Sequence, residues 1–323
     1  MFKLYKSIPS RAIASAAVLA ACLVAAAAAA APSRADLVAS GRADEAIRAL
    51  TAQNDAEAYH LLCRVYYSLE DWDKAIRSGE KAVQLNPNAA AYHLWLGRSY
   101  GEKADSSGPL SAFGWARKTV AEFERAVQLD PKDWRARHDL AEYYATAPGI
   151  VGGGKDKARR LADDIQSSDP VTAALIRALV ASRSDRPGEA EQHLNNAVQA
   201  SGNSAGTLLR LARLYRNQKR WNEFDAAVSR ALASSKRTPE DLFNAGELLV
   251  GVNRNLPTAA QALKQYLAGP MDDNGPAFQA HYLLGQVHER QGDRRAAQDE
   301  YKAALSLAGG FRPAQEALRK LGG

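Results

Sequence analysis

Gly149-Ile150-Val151-Gly152-Gly153-Gly154-Lys155 comes nearest to a chemical motif. Gly149-x4-Gly154-Lys155 is one residue short of a loop whose backbone amides and lysine cradle the phosphates of a nucleotide. Asp156 stands where that motif needs Ser or Thr. The replacement removes the hydroxyl that ligates Mg²⁺ and sets a carboxylate beside the phosphates. The motif must also follow a strand, yet Ala136 to Ala145 has helical periodicity. Glycines reversing the chain between two helices account for the run without any ligand. The six histidines (His60, His93, His138, His193, His281, His288) contain no His-x-x-x-His pair of the metal-site kind, and no Gly-x-Ser-x-Gly elbow occurs. Adjacent carboxylates such as Asp163-Asp164 and Asp272-Asp273 read as solvated charge. The expectation is therefore a protein with no catalytic residues, no metal site and no cofactor.

The elements that carry these residues show themselves by repetition. Tyr59-x-x-Leu62-Cys63-x-x-Tyr66 returns 34 residues later as His93-x-x-Leu96-Gly97-x-x-Tyr100. Between the two copies lies a second helical pattern, Asp71-Trp72-Asp73-Lys74-Ala75 through Leu85, stopped by Asn86-Pro87. Leu62, Tyr66, Ala75, Ala82 and Leu85 recur at three- and four-residue steps and so share one face of each helix. The small residue after each leucine, Cys63 or Gly97, lets the two helices of a hairpin approach closely. One such unit cannot bury both faces, and stacking on a neighbour completes the core.

These residues resemble the tetratricopeptide repeat family, whose pattern is an aromatic, Leu-Gly, Tyr, Ala, an aromatic, Ala and Pro; Gly79 departs from it where the family prefers an aromatic. The resemblance implies an all-α, right-handed superhelical solenoid of about seven helix-turn-helix pairs, non-enzymatic, binding a protein or peptide in a concave groove lined by first helices. Carried onto this sequence, the groove positions are His60, Arg64, Tyr67, Arg98, His138, Glu142, Arg213, Arg216, Phe243, Glu247, Tyr282, Gln286 and Glu289. Arginine and aromatic side chains are common interface anchors. The family's carboxylate clamp of Lys, Arg and Asn is not reproduced.

Residues 1–35 read as a secretory leader: Lys3, Lys6 and Arg11, then the apolar run Ala12 to Ala31, then Ser33-Arg34-Ala35 as a small-x-small cleavage site. Leu19-Ala20-Ala21-Cys22 also resembles a bacterial lipobox, with Cys22 as the lipidated residue, and the apolar run is long enough to stay as an anchor. Each reading sends residues 36–323 out of the cytoplasm, to the periplasm or, lipidated, to the envelope membrane. The membrane is then touched only through the N-terminal lipid or an uncleaved leader. The leader holds four of the 42 basic residues and none of the 36 acidic ones, so the remainder is near charge balance and gives no footprint for nucleic acid. Cys63 reads as a small buried hydrophobe.

Along the repeats, two places lose the 34-residue beat. Around 101–113 Ser106-Ser107-Gly108-Pro109 interrupts the pattern, which predicts a lengthened loop between helices and an extended second helix; 147–155 holds the glycine run. Leu37 to Leu50 at one end and a helix over 313–321 at the other read as caps, each with solvent on its outer side. The rival to a scaffold is a ligand-binding protein or enzyme whose site the two insertions form, which requires them to meet and enclose polar groups. A structural homo-oligomer is the third reading.

Overall fold

The computed structural model describes residues 33–271 and 274–322. Among them are 17 α-helices and a 3₁₀ turn at Gly149–Val151. A short pair opens the array, α1 (Arg34–Ala39) and α2 (Ala43–Thr51). Seven full hairpins follow: α3 (Ala56–Ser68) with α4 (Trp72–Leu85), α5 (Ala90–Asp105) with α6 (Pro109–Leu129), α7 (Trp134–Thr146) with α8 (Lys155–Ile165), α9 (Pro170–Ser182) with α10 (Pro187–Ala200), α11 (Ala205–Asn217) with α12 (Trp221–Ala233), α13 (Pro239–Gly251) with α14 (Leu256–Leu267), and α15 (Ala277–Arg290) with α16 (Arg294–Leu307). Helix α17 (Arg312–Gly322) closes the chain. The architecture is an all-α repeat solenoid.

Aspartates start many of these helices: the side chains of Asp55, Asp71, Asp169 and Asp293 accept the amide three residues on, which satisfies a donor the helix leaves free. The reversals inside the hairpins are also repeated. Glu70, Asp185, Lys219, Asn253 and Gly292 all take positive φ, between 53° and 81°. The amide after each reaches back to the last turn of the first helix, as in Asp71 N to Tyr66 O, Arg186 N to Ala181 O and Arg220 N to Tyr215 O, each 2.9–3.0 Å. This left-handed C-cap turns the chain in a fixed direction. The α5–α6 connection carries no such residue, and the α7–α8 connection places its positive-φ glycines, Gly152 and Gly154, after the 3₁₀ turn instead of directly after the first helix; these are the two insertions.

Close packing within a hairpin depends on the small position. At Gly285 an added Cβ would sit 2.3 Å from the ring of fully buried Tyr301. First helices of successive pairs touch one another, α3 with α5, α7 with α9, α11 with α13, α13 with α15, which places them on the concave side.

The structure differs from the sequence reading in three places. The residues added around 101–113 lengthen α5 and α6 to 16 and 21 residues instead of making a long loop, because Pro109 restarts the helix after Ser106–Gly108. Ser33 and Arg34, read above as the end of the leader, have contacts in the array: Ser33 caps α1 in a reciprocal capping box, and Arg34 pairs with Asp55 at 2.8 Å. The rest of the leader, Cys22 included, lies outside the described residues. The N-terminal pair, finally, is not a solvent-facing cap, whereas α17 buries Ala314 and keeps its outer side in solvent. Leu37, Val38 and Leu50 share one core with Phe278, Ala304, Phe311 and Ala314, so the first and last repeats cover each other. Gln279 Nε2 donates to Ser68 O at 3.0 Å and Gly309 N to Asp44 Oδ2 at 2.9 Å across the same seam.

Candidate functional site

The two insertions meet. Arg117 on α6 donates to Ile150 O at 3.4 Å, and the Tyr143 hydroxyl shares its proton between Ala116 O at 2.8 Å and Val151 O at 2.7 Å. Between them and the first helices α3, α5 and α7 opens a cavity of about 870 Å³. Its walls are Phe113, Phe123, Pro148 and Val151 together with Tyr67, Arg98, Glu102, Asp105, Asp139, Glu142 and Arg183. Three large apolar side chains on the insertions stand in solvent, Leu110 (95 % exposed), Ile150 (67 %) and Phe113 (45 %). Replacing Tyr143 by Phe removes the tie between α6 and the 147–155 loop. We expect a loss of about 1 kcal/mol and faster amide hydrogen exchange in residues 148–154 than elsewhere in the chain, read by mass spectrometry.

The cavity's two arginines are each paired with a carboxylate. Arg98 Nε donates to Asp139 Oδ2 at 2.6 Å and its guanidinium lies over the Trp95 ring, as does that of Arg64. Arg183 and Glu142 stand 3.5 Å apart. The Tyr67 hydroxyl donates to Glu102 at 3.1 Å. Glu102 is held above the usual carboxylate range by burial, and Asp105 and Glu70 push it the same way.

On the other side of α7, Arg210 Nη1 donates to His138 Nε2 at 2.7 Å. A guanidinium can only donate, so His138 is neutral with its proton on Nδ1, facing Asp139 at 3.7 Å. Burial, and then Arg210, hold its pKa below the ordinary histidine value. Burial pushes Arg210 down to about 10, with Arg213 adding to the effect. These side chains are walled by protein on nearly every side yet still reach water, the environment of a narrow groove. A second cavity of about 420 Å³ lies here, lined by His138, Glu142, Leu175, Arg183, Leu194, Arg210 and Arg213. Arg135 of α7 also reaches Glu240 of α13 at 3.7 Å, so the array curls tightly enough for first helices three pairs apart to touch.

Of the groove residues expected from sequence, Tyr67, Arg98 and Glu142 line the first cavity and His138, Glu142 and Arg213 the second. Arg64, Arg216, Glu247, Gln286 and Glu289 lie partly or fully exposed on first helices. Tyr282 packs at the seam, 5.4 Å from the Phe311 ring and 5.7 Å from that of Tyr301. Two assignments need correction. Phe243 is 4 % exposed against Tyr266, and His60 is 6 % exposed, stacked at 4.5 Å on Tyr92; both are core residues. Burial drives His60 to a pKa of about 3, and its Nδ1 finds no hydrogen-bond partner. At the glycine run, Lys155 Nζ donates to Arg183 O and closes the loop on the next repeat. Glu102, Asp139, Arg183 and Arg210 were missed. Asp139 and Arg210 each precede a named groove residue by three, and Glu102 follows Arg98 by four, so extending each position one turn along its helix finds them.

Among the described residues no three His, Cys, Asp or Glu side chains gather as a metal site, and no helix is long and apolar enough to cross a membrane. Hairpins stacked in one direction, with first helices on the inner side, define a helical-repeat solenoid. The chain carries tetratricopeptide repeats: that family's repeat pattern matches residues 56–89 and 278–310. It is similar to tetratricopeptide repeat protein 37 of Xenopus laevis, 24 % identical over 274 residues that make up 83 % of this chain and 17 % of that protein. The chain therefore spans less than a fifth of that curated relative. A tetratricopeptide repeat protein from Parabacteroides merdae superposes with a TM-score of 0.41 at 14 % identity, covering 87 % of this chain and 99 % of that one. A thermophilic repeat protein from Thermus thermophilus does so with a TM-score of 0.42 at 18 % identity, covering 67 % and 95 %.

Proposed function

We propose that the protein is a non-catalytic interaction scaffold of the bacterial cell envelope, exported by its leader, that holds a peptide or protein segment on its concave face. The carrying observation is the meeting of the two insertions. They form one side of an open cavity of about 870 Å³ lined by charged side chains and leave Leu110, Phe113 and Ile150 bare on the same insertions. Exposed large apolar side chains grouped beside a polar cavity are the composition of a protein-binding surface. The repeats support the same reading, since this family is typically a scaffold. The meeting of the insertions also favours a second reading, a small-ligand site, because Glu102 and Asp139 set partly buried polar groups in the cavity wall.

Photo-crosslinkers at Phe113, at Arg213 and at Arg77 on the outer helix α4 separate these readings. For a scaffold, Phe113 and Arg213 capture the same protein in the native host and Arg77 does not. Capture at Arg77 alone would remove the concave face from consideration, and no capture with a small molecule retained through purification would establish the second reading.

A further inference from the structure

The two cavities are neighbours of opposite charge. They share Glu142 and Arg183, which pair with each other at 3.5 Å and mark the boundary. In the larger one Arg98 is matched to Asp139 at 2.6 Å, which leaves Glu102 and Asp105 with no cation in hydrogen-bond reach; Glu102 has only the Tyr67 hydroxyl. In the smaller one, among the described residues, Arg213 has carboxylates acting on it only from a distance and Arg210 bonds to neutral His138 alone. The carboxylates that act on Arg210 from further off are already engaged: Asp139 with Arg98, Glu142 with Arg183, Glu240 with Arg135. Exposed Glu247 alone is left to Arg213. Each half thus holds uncompensated charge of one sign; the walls exclude most of the water around Arg210 and Arg213 and some of it around Glu102, while Asp105 stays exposed, so an opposite charge is worth most at the basic half.

The larger cavity is bounded by α5 and α7 and the smaller by α7, α9 and α11. Together they run from α5 to α11, which suits an extended chain better than a compact molecule. We propose that they form one polar track for an extended peptide segment of a partner protein, with a Lys or Arg side chain at Glu102 and Asp105 and an Asp or Glu side chain at Arg210 and Arg213. Phe113, Pro148 and Val151 receive the apolar stem of the basic residue, and Leu175 and Leu194 flank the acidic one. This deepens, and rests on, the peptide-holding reading above.

The test selects a library of random linear peptides on the immobilised full chain. Recovered peptides are expected to carry a basic and an acidic residue at constant spacing. The double variant E102Q/D105N then weakens such a peptide roughly tenfold, the loss of about one charge-assisted contact, and R213Q does likewise. With norleucine in place of the peptide's basic residue, E102Q/D105N has no further effect. Circular dichroism melting establishes that the variants fold; both carboxylates reach solvent, so the E102Q/D105N comparison decides even if R213Q does not fold. Recovered peptides without a charge pattern, or affinity indifferent to E102Q/D105N, would overturn the track while leaving the scaffold reading standing. Recovery of no peptide would overturn both.

Discussion

Replacing Phe311 by Ala lowers the free energy of unfolding by about 3 to 5 kcal/mol and lets the two ends of the array part. Phe311 is buried, with its ring 5.0 Å from Phe278 and 5.4 Å from Tyr282. Its core also contains Leu37, Val38 and Leu50 from the opposite end of the chain. In an open solenoid each repeat touches only its neighbours, so truncating a terminal residue is a local loss. Here the same truncation removes apolar contact between segments more than 250 residues apart, of which Asp44 and Gly309 are one hydrogen-bonded example, |i−j| = 265. A second variant approaches the seam from its other side. Gly41 has φ +68°, and a Cβ there would lie 2.3 Å from Ala277 N, a backbone atom that cannot swing away. Gly41→Ala must therefore adopt a strained backbone and push α15 outward. Small-angle scattering from both variants is expected to show a larger radius of gyration than the parent. If denaturant titration gives the expected loss for Phe311→Ala but scattering is unchanged in both, the seam is not what holds the ends together.

That seam shows where sequence stops being informative. The 34-residue beat located the hairpins because it is a local pattern: Leu62, Ala75 and Ala82 meet partners within one or two helices. Closure depends on how small rotations between pairs accumulate around the whole array, and no single spacing records that sum. Leu37 and Phe311 look like ordinary cap residues until the curvature brings them together. The first cavity was half legible. The residues at 101–113 and 147–155 announced themselves by breaking the period, and Tyr67, Arg98 and Glu142 lay on the expected face. Glu102, Asp139 and Arg210 stayed hidden because the family register names only some turns of each first helix, whereas the groove's charge runs on to the neighbouring turn. Phe243 and His60 failed for the converse reason. A residue at the edge of the packing stripe is buried or bare according to its neighbours, and Tyr266 and Tyr92 cover these two.

Asp139 carries the other large expected effect, because it is the negative charge among several cations at the inner face of α7. It accepts from Arg98 at 2.6 Å and faces the His138 Nδ1 proton at 3.7 Å, while Arg210 bonds the far nitrogen of the same ring. Asp139→Asn leaves Arg98 without its counter-charge in a site largely walled from water, at an expected cost of about 3 kcal/mol near neutral pH. The pH dependence distinguishes lost charge from lost packing. Burial raises the pKa of Asp139, but His138 and Arg98 outweigh it and hold the folded value below 3.8. Its stabilisation is therefore complete above that value and disappears as pH falls through the lowered folded pKa. His138 acts at a different pH with the same outcome. Its folded pKa lies below 6.5, so as pH falls past 6.5 the unfolded chain takes up a proton that the folded chain refuses, and stability declines. Two acid limbs follow, one beginning below 6.5 and one below 3.8. His138→Gln should flatten the first and leave the second, and the gap between Asp139→Asn and the parent should close only in the second. Urea titrations across that range measure both limbs. A gap that stays constant down to the lowest pH at which the parent folds would mean that Asp139 acts by shape alone.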